Sequence, residues 1–236
     1  MTIRIIHMEY IANKEIIARR IAQIFKTGEV VNLGIGLPTM VEKYISPDVN
    51  IILMSENGIM GLGQAPAKGF ESRDITDSGG SAATIRKGGC FFDSATSFGI
   101  IRGGHVDYTV LGVLEVDQDG NLANYKVPGK MVPGMGGAMD LTIGARIVIA
   151  ATLHFQPTGS SRLKRHCTLP LTAHKEVNLI VTDLGVFEVQ GGKFYLAEYF
   201  APYTPEYILE HTDADIIVKN NCIKVVIDTL IKEDKQ

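Results

Sequence analysis

Apolar positions recur along the chain in two rhythms. Near the start, Ile17, Ile21, Ile24 and Phe25 fall at i, i+4, i+7 and i+8, while Lys14, Arg19, Arg20 and Lys26 fall elsewhere on the surface. That spacing predicts an amphipathic helix over 13–27, with Asn13 as N-cap and Gly28 as its stop. The second rhythm is the short, nearly unbroken apolar run. Val30 to Leu33, Ile51 to Met54, Tyr108 to Val116, Arg146 to Thr152 and Val177 to Thr182 all read this way. Such runs suit strands, and Tyr108 to Val116 has the character of one buried on both faces.

Between the strands lie further helical signals. Pro38 suits the first turn of a helix over about 38–45. Phe91 to Arg102 predicts another, started by Asp93 or Ser94, with Phe98 and Ile101 inward and Gly103-Gly104 at its end. Residues 185–190 and 194–198 predict a hairpin turning at Gly191-Gly192. Pro205 to Leu209 opens a short helix. Beyond about 219, Ile223, Val226, Ile227, Leu230 and Ile231 stand at helical spacing. Residues 64–90, polar and rich in Gly, Ser and Ala, predict a long loop, and 126–140 a second irregular stretch. Helices alternating with apolar strands point to an α/β fold, a single open, mostly parallel sheet covered by helices. No linker-like shift divides the 236 residues, so one domain over 1–236 is expected.

Charge narrows the partners. A net charge of −3 gives no electrostatic reason to expect nucleic acid or an anionic membrane. The longest apolar stretch, Ile147 to Leu153, is far shorter than the ~20 residues a bilayer needs. The first ten residues lack a signal-peptide core. Cys90, Cys167 and Cys222 are odd in number and widely spaced, which argues for a reducing cytoplasm rather than a disulfide framework. The six histidines show no metal-ligand spacing, so no metal site is expected.

Glycine, at 25 residues, exceeds its usual share of about 7% and clusters in loops where chemistry is most readily placed. The strand at Val30 runs into Gly34-Ile35-Gly36, a turn that suits either contact with a cofactor or tight packing. The stretch Ser55-Glu56-Asn57-Gly58, followed by Gly61 and Gly63, places a carboxylate just after an apolar strand on backbone that a large group could approach. Desolvation there makes ionisation costly unless donors are near. From the residues alone Glu56 is either a loop carboxylate with structural partners or a catalytic group. The basic residues Lys126, Lys130, Arg162, Lys164, Arg165 and His166 form either a solvated face or a site for phosphates. Met131, Met135 and Met139, four apart, serve either the core or an acyl pocket.

Five stretches occur together and in order: VNLGIGLPT (31–39), SENGIMGLG (55–63), FFDSATSF (91–98), IRGGHVD (101–107) and NLANYKVPGKMVPGMGGAMDL (121–141). In this the chain resembles the β subunit of family I coenzyme A transferases, of the acetate/butyrate–acetoacetate or succinyl–3-oxoacid type. The resemblance covers about 10–215 and leaves the tail outside. Residues 77–90 depart from the family's usual wording, and with them the acid specificity stays open.

The resemblance implies a three-layer α/β/α fold and a ping-pong transfer of CoA between an acyl-CoA and a short-chain carboxylic or 3-oxo acid. Glu56 would be the nucleophile and pass through a glutamyl-CoA thioester. Gly137 would supply an oxyanion-binding N–H, with Gly136 as the alternative. Ser55, Asn57, Gly58, Gly34 and Gly36 would contact substrate. Coenzyme A enters as substrate and covalent intermediate, not as a resident cofactor. A separate α subunit would complete a heterodimer or heterotetramer. Two other readings stand beside this one: a non-catalytic CoA- or metabolite-binding module, and a sugar-phosphate isomerase-like enzyme with Glu56 as general base.

Overall fold

The computed structural model describes residues 13–129, 132 and 134–226. Helix α1 occupies residues 13–22 of that span. It ends earlier than its apolar spacing suggests, because the chain tightens. The Ile24 N–H reaches back three residues to the Ile21 carbonyl (2.9 Å), and Gly28 then bonds to the Asn50 carbonyl.

Strands β1 (Val30–Leu33), β2 (Ile52–Ser55), β3 (Ile59–Gly63) and β4 (Thr84–Phe91) follow, with a 3-10 helix at Leu37–Tyr44 between the first two. Helix α2 (Ser94–Arg102) leads to β5 (Val106–Gly112), then β6 (Glu115–Asp117) and β7 (Leu122–Ala123). Helix α3 (Ala138–Gly144) leads into β8 (Ala145–Ala151), and β9 (Leu163–Lys164) and β10 (Leu179–Val181) come next. The chain closes with β11 (Gly185–Gln190), β12 (Lys193–Ala201), α4 (Pro205–Glu210) and β13 (Ile216–Val226).

Ten strands form one sheet, ordered β13-β12-β11-β10-β8-β5-β1-β2-β3-β4. Its centre, β10 through β2, is parallel, whereas β3, β4 and β11 run antiparallel to their neighbours. Alternation along the central strands sends successive side chains to opposite faces. Leu53, Ile149 and Ala151 join Ile17 and Ile21 of α1, and Phe25 just beyond it, in one core. Met54 faces Ile101 of α2 and Leu141 of α3 on the other side. Val148 and Ala150 pack there against Val116, Leu122 and Leu163 of a small second sheet, ordered β7-β6-β9, and Ile208 of α4. Helices on both faces of a mostly parallel sheet match the expected α/β architecture. No described helix is long and apolar enough to cross a membrane.

Several expectations are corrected. The stretch 64–90 is not all loop: β4 pairs antiparallel with β3, and Thr76 bridges Ala82. Its strand went unread because it lies at the sheet edge with most residues exposed and no alternating apolar face. The run from Tyr108 to Val116 is not one strand. It breaks at Val113-Leu114, where the chain leaves the large sheet for the small one. Phe91 ends β4 instead of opening a helix, and Asp93 caps α2 by accepting the Thr96 N–H at 2.7 Å. The tail's helical spacing is overridden up to Val226 by parallel pairing with β12; Ile227, Leu230 and Ile231 lie outside the described residues. Asn13 is engaged at a distance, its amide donating to the Asp183 carboxylate (3.1 Å).

Candidate active site

Glu56 sits in the turn between β2 and β3, at the carboxyl end of the parallel centre. The turn is closed by the Gly58 N–H on the Ser55 carbonyl (3.0 Å), and the Gly58 carbonyl takes the Phe92 N–H at 3.0 Å. Only glycine fits at 58. Its φ is +112°, and a Cβ there would stand 2.0 Å from the Phe92 carbonyl oxygen. The entry to α2 therefore lies directly on this turn. From α2 the Ser97 hydroxyl donates to the Glu56 carbonyl at 2.8 Å, which fixes the backbone from which the carboxylate projects.

The carboxylate itself is held by a buried relay. Asn32 of β1 donates its side-chain amide to Glu56 Oε2 (3.0 Å) and to the Met54 carbonyl (3.2 Å). Thr109 of β5 donates its hydroxyl to Asn32 Oδ1 at 3.2 Å. Asn32 and Thr109 are both wholly buried. Three adjacent parallel strands thus bring one residue each to the same place. With Oδ1 committed to Thr109, the NH₂ end must face Glu56.

Gly137 closes the other side. It precedes α3, and a Cβ on it would lie 3.2 Å from Glu56 Cγ and 3.3 Å from the Phe98 ring, so bare backbone is what lets this loop approach the carboxylate. Gly136, with open space around it, is the neighbouring position. Among the described residues, no group accepts a hydrogen bond from the N–H of Gly136 or Gly137.

Ser55 and Asn57 point elsewhere, to the loop that leads to β4. Ser55 Oγ accepts the Ser78 N–H (3.0 Å), and the Asn57 amide donates to the Thr76 carbonyl (2.8 Å). Gly34 bonds to the Val110 carbonyl of β5 at 2.8 Å, and Gly36 lines a cavity of about 150 Å³ that Ser55 also borders. The basic cluster is engaged in the fold: Lys164 pairs with Asp213 (3.2 Å) and Arg165 with Asp215 (3.0 Å). Lys130 and Met131 lie outside the described residues.

Sequence reasoning missed Asn32, Thr109 and Ser97. For the two strand residues a signal was present. Asn32 interrupts Val30-Val31 and Leu33, and Thr109 is the one polar residue early in the run from Tyr108. A polar side chain inside a doubly covered strand needs a partner.

Taken together, the site is a carboxylate anchored by one amide, with the Phe98 ring and the bare backbone of Gly137 against the Glu56 side chain. A carboxylate so held is one of the groups that can serve as a nucleophile in acyl transfer. Residues 14–211 match the model of the coenzyme A transferase family, and the chain belongs to that family. It is 52% identical over 208 residues to the acetate CoA-transferase β subunit of Haemophilus influenzae, covering 88% of this chain and 93% of that one. One subunit of a probable succinyl-CoA:3-ketoacid coenzyme A transferase of Bacillus subtilis is 43% identical over 212 residues, 90% of this chain and 98% of that protein. In fold the chain resembles an acyl-CoA transferase (YdiF) from Escherichia coli O157:H7, with a TM-score of 0.74 and 20% identity. That alignment covers 93% of this chain but 44% of the other, so this chain spans under half the length of that structure.

Proposed function

We propose that this chain is the nucleophile-bearing β subunit of an enzyme that moves coenzyme A between an acyl-CoA and a short-chain carboxylic or 3-oxo acid, and that Glu56 is the nucleophile. A Glu56 carboxylate oxygen attacks the thioester carbonyl carbon and forms a tetrahedral intermediate. The C–S bond then breaks, leaving an acyl-glutamyl anhydride and CoA thiolate. The thiolate attacks the glutamyl carbonyl and expels the acid as its carboxylate, so that Glu56 carries CoA as a thioester. An incoming carboxylate runs the same steps backward and leaves with CoA, and the Glu56 carboxylate is restored. Each step keeps one activated acyl bond, which is why a carboxylate nucleophile suits an exchange between two carboxylates.

The observation that carries this reading is the clamping of Glu56 between the Asn32 amide and Gly137. Asn32 aims one oxygen and offsets its desolvation. The Gly137 N–H, or that of Gly136, stabilises the developing oxyanion; loss of one such donor costs about 10²- to 10³-fold in rate elsewhere. Anhydride and thioester both hydrolyse, so the site needs closing against water. The two relatives at high identity are each named as one subunit of a transferase, and more than half of the acyl-CoA transferase YdiF chain has no counterpart here. A separate α-type subunit supplying the rest of the CoA site accounts for both.

The test uses the chain assembled with its α-type partner. Acyl-CoA should label the peptide carrying Glu56, as a hydroxylamine-labile, borohydride-reducible adduct. Glu56→Gln should abolish both label and transfer. Turnover with Glu56 unlabelled would rule the mechanism out. Isotope exchange into a sugar phosphate without CoA would favour the isomerase reading.

A further inference from the structure

The cavity beside Ser55 is the one feature near Glu56 that the transfer chemistry does not account for. Its apolar wall is Leu33, Leu53 and Leu62. Opposite stand Thr39 and Glu42 of the 3-10 helix, and the loop from Asp77 to Ser81 roofs it. That roof belongs to the loop pinned to Ser55 and Asn57, so the cavity and the Glu56 turn share their framework. An acyl group carried by Glu56 has the Phe98 ring and Gly137 on one side. Ser55, the residue before Glu56, and Gly36, in the turn after β1, both line this space, so the cavity adjoins the turn that carries the carboxylate.

Glu42 is out of place in such a wall. Its Oε1 is buried with no hydrogen-bond partner among the described residues. Burial holds its carboxyl above the usual range; Arg86 opposes that rise and Asp77 adds to it. The balancing cation, Arg86, is exposed and spends one guanidinium nitrogen on the Ile51 carbonyl (3.3 Å). A wider cleft continues outward past the same Glu42 and Asp77, so the carboxyls line the route as well as the cavity.

Building on the Glu56 reading, we propose that this cavity is the acyl pocket and that Glu42, supported by Asp77, restricts it to acids with no second carboxylate. A monocarboxylic or 3-oxo acid places only an alkyl or ketone end against Glu42. A dicarboxylic acid such as succinate brings a third carboxylate into a space already lined by two, one of them with a buried, unpartnered oxygen. Like charges set this close repel one another, and each wrong pairing is costly. Specificity of this kind is built from repulsion as much as from contact.

The experiment compares kcat/KM for butyrate, acetoacetate and succinate as acceptors from acetyl-CoA, with the chain assembled with its α-type subunit. Wild type should favour butyrate and acetoacetate over succinate at least tenfold. Glu42→Gln should raise the succinate-to-butyrate ratio at least fivefold, chiefly through the KM for succinate. Asp77→Asn should move it the same way by less. Wild type using succinate within twofold of butyrate overturns the proposal without any variant. So does a ratio unchanged within twofold in both variants while transfer is still measurable. No exchange by wild type with any acid would sink the transferase reading, and this one with it.

Discussion

Replacing Asn32 with alanine removes the only side-chain donor to Glu56 among the described residues, at 3.0 Å, without touching the carboxylate itself. A hydrogen bond to a charged group contributes about 1.5–3 kcal/mol. If that contribution is made in the transition state, where the carboxylate must be aimed and only partly desolvated, the rate falls about 10- to 150-fold. Thr109 acts one step further back. Its hydroxyl fixes which end of the Asn32 amide faces Glu56, at 3.2 Å and fully buried. Thr109→Val deletes that hydroxyl at nearly constant shape, and a neutral hydrogen bond of about 0.5–1.5 kcal/mol then sets a rate loss of roughly two- to tenfold. Because Thr109 works only through Asn32, the double variant should be no slower than Asn32→Ala alone. The assay is a double-mutant cycle on transfer rate, read beside the yield of hydroxylamine-trapped adduct on Glu56. Losses that multiply independently, or Asn32→Ala within twofold of wild type, would refute the relay.

Two further tests probe the site wall and the fold. Gly137→Ala puts a methyl 3.2 Å from Glu56 Cγ and 3.3 Å from Phe98; transfer should drop at least tenfold while the thermal midpoint moves little, and retained turnover would exclude so close an approach. His154 is enclosed between Thr182 and Thr212, and burial, aided by His211, pulls its imidazole down to about 3. An unfolded histidine titrates at about 6.5, so within that window the unfolded chain holds a proton the folded chain refuses. Stability should therefore fall as pH drops through the window, by at most about 1.4 kcal/mol per unit. Asp183, raised by burial, opposes this at the acid end because its folded form takes a proton first. Urea unfolding from about pH 7.5 to about pH 4.5 measures the slope, which His154→Gln should flatten; equal slopes in both proteins would acquit His154.

What could be read from the residues was local. The central strands are doubly covered and so announce themselves as apolar runs, and the hairpin at Gly191-Gly192 is set by its own turn. The edges were harder. Strand β13 shows only partly buried and exposed positions, so Ile223 and Val226 look as much like a helix face as a strand. The break at Val113-Leu114 was invisible because Val113 itself is buried, as are Leu111 before it and Val116 after it. Glu42 gave no signal at all, since its meaning depends on a cavity roofed by a loop more than thirty residues later.

Glu56 and Gly137 were each singled out in the sequence, yet nothing in the sequence says that they touch. Between them the chain runs through β3, β4, α2, β5 and the hairpin β6–β7 before it reaches the glycine that opens α3. What joins them is the packing of those helices on a single face of the sheet. Gly144, at the end of α3, lies so near α2 that a Cβ would stand 2.2 Å from the Ile101 carbonyl oxygen. Arg102 of α2 reaches Asp140 of α3 at 2.7 Å. With α3 held that tightly, its leading glycine is driven against Phe98, and Phe98 stands one residue beyond the Ser97 that holds the Glu56 backbone. The glycine that admits the close helix contact and the glycine that lies against the Glu56 side chain are therefore parts of one arrangement. Bare backbone at the far end of α3 sets how closely the glycine at its near end lies against the Glu56 side chain.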